Sequence, residues 1–373
     1  MEEGDRIGGA APASSSDAHP VRVQAMHRAF AEALGRHPGS LREETYAFAG
    51  RPVRLRIVGD RLAARTHRAF AHLGRHAEAA ARPMLEIDLW DEEETGVPYL
   101  AAAEATELDQ RWIACDGTIT ATPGGRYVSF RYQESVTILD RRQQRMVSCR
   151  RSGAHLSSGE CSKPYVLMLS IWFHDRGVQV LHSGLVARRG AGVLLPGASG
   201  TGKSTTSLMA VAQGLDFLGD DFVGLERAGD AEFLGHSVFN TACLVRDGVG
   251  RFPGIPPEAI EDGSPSEEKP VLFLSEVFPE RIRATVPIRA VVLLRIRQPR
   301  TEIRRASRAE ALRELAASTL HTVVPRPGRA ALEKMGALIE HVPAFWLLLG
   351  PDLGDISPSI DRILSSVGHP DAA

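Results

Sequence analysis

The run Gly197-Ala198-Ser199-Gly200-Thr201-Gly202-Lys203-Ser204 satisfies the spacing G-x-x-x-x-G-K-[ST] at every fixed position, and each residue type in it has a task in holding phosphate. Glycines let the backbone come close to phosphate oxygens and adopt positive φ. The loop amides, with the free N–H groups that start the next helix, make a concave anion site. Lys203 brings a positive charge to the terminal phosphates, and the Ser204 hydroxyl can ligate Mg²⁺. Thr205 completes the residues expected to touch a nucleotide. The ligands this pattern calls for are ATP and Mg²⁺.

Two adjacent carboxylates, Asp220 and Asp221, follow at the end of the short run Leu215 to Gly219. Phosphoryl transfer needs a metal ligand and a base that orients the attacking hydroxyl. Neighbouring carboxylates can divide these tasks, because side by side they titrate as a coupled pair. Elsewhere the same dipeptide would read as a solvent-exposed turn; just after a phosphate loop, a helix and a strand, catalysis is the stronger reading. His182, at the end of the strand entering the loop's hairpin, reads equally well as a structural or a functional imidazole. From the Gly- and Pro-rich stretch His236 to Lys269, the residues Arg246, Arg251 and Lys269 could touch phosphate or substrate. Solvated surface charge is the plainer reading for both arginines. Lys269 stands out because the chain has only four lysines.

These residues need elements to position them. An apolar strand, Val193–Leu195, runs into the loop, and Ser204 to Ala212 is a helical run stopped before Gly214. Upstream, the pattern reads as a strand, a turn, a second strand and a Gly-rich turn at Arg189–Gly192. Downstream, buried strands are expected at Phe222–Leu225, Val291–Ile296 and Phe345–Leu349, with helices at Arg308–Ala317 and Arg329–Ile339. The front half reads as helices at Val23–Gly35, Asp60–Leu73 and Pro164–His174. Its strands are expected at Thr45–Ala49, Val53–Val58 and Met84–Leu89, with antiparallel strands over residues 118–149. It shows no catalytic constellation. The expected organisation is a disordered tail over residues 1–22, an α+β accessory domain over 23–175, a P-loop domain over 176–356 and a C-terminal tail over 357–373. The fold class is α/β of mixed α+β character.

Composition narrows the function. A net charge of −2 across 373 residues gives no global field for nucleic acid or an anionic membrane. No run is long and apolar enough to span a bilayer, and the N-terminus lacks the apolar core of a signal peptide. The four cysteines have no zinc or disulfide spacing, which fits a reducing, cytoplasmic setting.

The stretches LHSGLV, GVLLPGASGTGKST and LDFLGDDFVGL, in that order over roughly residues 178 to 226, resemble the HPr serine kinase/phosphorylase family and its HPr-kinase-like relatives. The resemblance implies a P-loop on a sheet with antiparallel character, a fold shared with phosphoenolpyruvate carboxykinases. It implies an ATP-dependent kinase acting on a serine-type hydroxyl of a protein or peptide. Asp221 would be the base, Asp220 would lie near the metal, and His182 would support the pair. The family usually carries Glu after the P-loop Ser, where this chain has Thr205, and its second signature is not found in EFLGHSVFNTACLVRDGVGRFPG. The divergent branch that phosphorylates peptide precursors, such as those of lasso peptides, fits better than HPr itself. A nucleotide-switched regulator or ATPase and a small-metabolite kinase are the alternatives. Oligomeric state, including a homo-oligomer, stays open.

Overall fold

The computed structural model describes residues 15–74, 83–99, 111–114, 117–122, 124–244, 251–261, 269–296, 298–320 and 329–368. Arg246, residues 1–14 of the expected tail and Pro123 of an expected turn lie outside them.

The architecture is mixed α/β, with two sheets of eight described strands each. The front sheet runs in the order Leu41–Phe48, Arg51–Val58, Leu85–Asp91, Arg145–Arg150, Ser135–Asp140, Tyr127–Tyr132, Gly117–Ala121 and Arg111–Ala114. Leu85–Asp91 is parallel to both of its neighbours, and the other pairs are antiparallel. The helix Asp60–Gly74 buries Leu62, Ala63, Thr66, Ala69, Phe70 and Leu73, the three-and-four spacing of one helical face. The first helix spans Ser15–Arg36, so the expected tail is helical from Ser15. Met26, Phe30 and Ala33 anchor it against Val58, Trp90 and Tyr127 of the front sheet. Once a helix is anchored, each added residue fixes little and gains a bond, which carries it back past Val23.

In the second sheet one long strand, Val178–Arg188, is the organiser. It pairs antiparallel with Ala191–Pro196, with Asp216–Gly219 and with Phe222–Arg227. The order continues through Phe233–Ser237, Thr285–Arg295, Ala344–Leu348 and Glu302–Arg305. Thr285–Arg295 also pairs parallel with Ala191–Pro196, so the ladder closes on itself. The two short strands expected before the Gly-rich turn are therefore one. Gly184 lies inside that strand, paired with Leu195, and a Cβ there would meet Ser207 Oγ at 2.7 Å. The glycine lets the P-loop helix lie directly on the sheet.

The sheets share a core. Phe48, Phe70 and Phe173 from the front half pack in one cluster with Val178, Val180, Phe239 and Phe273. Polar ties cross the same boundary: Arg51 to Glu226 at 2.6 Å and His72 to Ser237 at 2.7 Å. The last helix, Ile356–Ser366, begins where the expected C-terminal tail does. Its Ile356, Ile360 and Ile363 are buried in the cluster that holds Leu208 and Met209 of the P-loop helix.

Candidate functional site

The strand Ala191–Pro196 ends at Gly197, and the helix Lys203–Ala212 begins directly after Gly202, whose φ is 101°. That positive φ, and a Cβ that would sit 2.8 Å from Ile296 Cγ2, leave only glycine room at position 202. The first intrahelical bond runs from Thr206 N–H to the Gly202 carbonyl at 2.8 Å. The amides of Lys203, Ser204 and Thr205 thus start the helix without intrahelical acceptors, as an anion cradle requires. Ala198, Ser199 and Gly200 are exposed at the loop's tip, while Lys203 is buried. Its Nζ donates to the Gly197 carbonyl at 2.7 Å and the Ala198 carbonyl at 3.1 Å. Burial lowers the Lys203 pKa, against the pull of Asp221 and Asp220.

Asp220 and Asp221 stand between the strands Asp216–Gly219 and Phe222–Arg227, both of which pair antiparallel with Val178–Arg188; the one shift in register lies upstream, between Phe217 and Gly219. Successive residues of an extended run point to opposite faces, and the two carboxylates accordingly meet different surroundings. Asp220 is 2% exposed. It accepts from the Cys243 N–H at 3.3 Å, the nearby Ser204 hydroxyl favours its charged form, and its Oδ1 is buried with no partner. Burial and the neighbouring Asp221 push its pKa up to about 6. Asp221 faces the opening. His182 Nε2 lies 2.7 Å from its Oδ1, and Lys163 Nζ lies 2.5 Å from its Oδ2. Burial works against its charge, but Lys163 and His182 outweigh that and hold it well below the usual carboxylate range.

Asp221 and its two partners line one cleft of about 1400 Å³, while Asp220 lies buried behind its surface. Ser199, Gly200, Gly202, Lys203, Ser204 and Thr205 form its floor beside Lys163, His182, Asp221 and Cys243. Arg251 and Lys269 also line it; both are exposed, and Lys269 is close enough to lower the Lys203 pKa. Beyond the P-loop the wall turns apolar, with Ile296, Pro299, Leu349, Pro351, Leu353 and Ile356. Its polar group there is Gln298, whose main chain donates to the Leu349 carbonyl at 3.0 Å. His182 lies mid-strand, opposite Phe222, and not at a strand end.

The residue that sequence reading missed is Lys163. It comes from the front half, where no catalytic constellation was expected, and nothing in the local run SKPY marks it. Scarcity of lysine is the signal that could have found it: three of the chain's four lysines, Lys163, Lys203 and Lys269, line this cleft.

The residues present fit a magnesium ion. Among the described residues no three or more His, Cys, Asp or Glu gather as a preformed cage. Mg²⁺ does not need one; it keeps several waters and takes one or two protein oxygens alongside substrate phosphates. The Ser204 hydroxyl and Asp220, with its unpartnered Oδ1, supply such oxygens beside the phosphate cradle.

Among the described residues no helix is long and apolar enough to cross a membrane. No protein-family model and no curated protein matches the chain. Among solved structures, the Hpr(Ser) kinase/phosphatase from Coxiella burnetii aligns over 50% of this chain and 88% of its own, at 12% sequence identity and a TM-score of 0.29. A likeness that weak carries no weight for fold or function.

Proposed function

We propose that this chain is a kinase that transfers the γ-phosphoryl group of ATP to a serine-type hydroxyl of a peptide or protein. The observation that supports it is the convergence of Lys203, at the phosphate cradle, and Asp221, with its His182 partner, on one cleft. The cradle would hold the β- and γ-phosphates. The apolar wall from Ile296 to Ile356 would take the base, which leaves the γ-phosphate pointing toward Asp221. The acceptor hydroxyl would sit between the two, donating its hydrogen bond to Asp221 as its oxygen attacks phosphorus.

Asp221 is a weak base while Lys163 and His182 hold it. A loose phosphoryl-transfer transition state asks little deprotonation of the nucleophile, so orientation is the larger part of its task. Asp220 and Ser204 would hold Mg²⁺, which when bound bridges phosphate oxygens and draws off developing charge. Arg251 and Lys269, exposed on the rim, would meet the acceptor or the terminal phosphate.

The test is incubation of the full chain with γ-labelled ATP, Mg²⁺ and a serine-containing peptide library. Label recovered as phosphoserine, and lost in Asp221→Asn, is the expected result. Label recovered only as free phosphate would make the chain an ATPase and end the kinase reading.

A further inference from the structure

Lys163 is held from the main chain outward. It follows the helix Ser158–Ser162, which opens on a full capping box between Ser157 and Glu160. The Lys163 N–H closes that helix on the Gly159 carbonyl at 3.0 Å, and Thr241 Oγ1 donates to the Ser162 carbonyl at 2.6 Å. These bonds fix the stem's origin beside the strand Thr241–Cys243. Its ammonium then lies 2.5 Å from Asp221 Oδ2 and 3.5 Å from Cys243 Sγ, 5.7 Å from the centre of the Phe222 ring.

The choice of lysine matters. The chain has 44 Lys and Arg residues, of which four are Lys, and among the described residues buried or half-buried carboxylates elsewhere pair with arginine, as in Arg51–Glu226, Arg56–Asp88 and Arg150–Glu160, or with histidine, as in His236–Glu226. Arginine suits a fixed pair, because its planar fork locks two bonds to one carboxylate. Lysine is a compact charge on a flexible stem that can leave one anion for another. In the cleft lysine appears instead, and Lys163 and Lys203 both line it together with Asp221.

We propose that Lys163 is a catalytic residue whose ammonium passes from Asp221 to the phosphoryl group in transfer, so that the front half of the chain completes the active site. The inference rests on the kinase reading above. Lys163 and His182 share Asp221. A γ-phosphate arriving at this end of the cleft offers Lys163 a more highly charged partner and frees Asp221 Oδ2 for the acceptor. The acceptor oxygen then forms its bond to phosphorus, and the bond from phosphorus to the β-phosphate oxygen breaks with its electron pair left on ADP. The hydroxyl proton passes to Asp221, and from there to solvent. Lys163 stays protonated throughout, neutralising charge on the equatorial oxygens.

The test measures binding of ADP alone and of ADP with aluminium fluoride, a mimic of the phosphoryl group in flight. The wild-type chain should bind the aluminium fluoride complex at least about tenfold more tightly than ADP. Lys163→Met should lose that gain while keeping ADP affinity within about twofold, and Lys163→Arg should recover part of it. Retention of the full gain in Lys163→Met would reduce Lys163 to a structural partner of Asp221 and overturn the proposal alone. Absence of any gain in the wild-type chain would overturn the kinase reading and the proposal together. Lys163→Met leaves a buried carboxylate short of a partner and could unfold the site. Asp221→Asn and Asp221→Asn/Lys163→Met remove that imbalance. The single variant should keep most of the gain and the double variant lose it; equal gains in the two would sink the proposal.

Discussion

The His182 ring reaches Asp221 across a strand pair, Nε2 to Oδ1 at 2.7 Å, while the Asp221 carbonyl accepts the Ser183 N–H at 3.0 Å. The main-chain bond fixes where Asp221 starts, and the ring fixes where its carboxylate points. His182→Ala should therefore lower kcat by about 10- to 100-fold with nucleotide affinity nearly unchanged. His182→Gln, which keeps a donor, should recover part of the loss. Steady-state kinetics on the phosphopeptide product decide this; an effect on KM for ATP alone would contradict it.

Lys203 is satisfied by its own loop in the free chain, through the Gly197 and Ala198 carbonyls. Phosphate must replace those two bonds. Lys203→Met should cost about 100-fold or more in nucleotide affinity. Fluorescent-nucleotide titration against the wild-type chain measures it.

The two carboxylates should fail in different ways. Asp221→Asn should bind Mg-ADP as the wild-type chain does and lose about 10²- to 10⁴-fold in transfer. Asp220→Asn, which removes the acid beside Ser204, should instead weaken nucleotide binding in the presence of Mg²⁺ and leave it unchanged in its absence. Calorimetry with and without Mg²⁺ separates the two. Full transfer by Asp221→Asn would remove that residue from the mechanism.

Gly184→Ala puts a methyl group 2.7 Å from Ser207 Oγ and 3.4 Å from the Asp220 carbonyl. Overpacking at such a contact costs about 1–3 kcal/mol, and here it presses on the P-loop helix and the acidic pair together. Urea denaturation should show the loss, with a parallel fall in transfer activity.

In the front half, burial lowers the His67 pKa to about 4, and its Nδ1 lies 2.6 Å from the Tyr46 hydroxyl. The folded chain favours the neutral ring. Stability from this site is present above the unfolded value of about 6.5 and falls as pH drops from there toward 4. His67→Gln should flatten that part of the profile of denaturation midpoint against pH. An unchanged slope in the variant would show that other groups carry it.

The strand, glycine-rich loop and helix around Lys203 were legible because one contiguous stretch makes them, through backbone geometry that the sequence spells out directly. The acidic pair was legible for a similar reason, since it follows the cradle by one helix and one strand. His182 was visible as a residue but misplaced. The sequence reads as two strands parted by a turn, and pairing with neighbours on both sides makes them one. The first helix outran its expected start because its anchoring face, from Val23 to Ala33, meets a sheet built by later residues.

By itself, then, the amino-acid order determined the glycine-rich loop proposed to cradle phosphate, the carboxylates after it and the mixed α/β class. The tertiary structure alone decided that Lys163 meets Asp221, 58 positions away, and that Asp220 and Asp221 turn to different neighbours. The reason is physical: a loop's local conformation follows from the residues within it. The meeting of two charges depends on where the shared core brings two sheets together, and no short stretch of sequence encodes that.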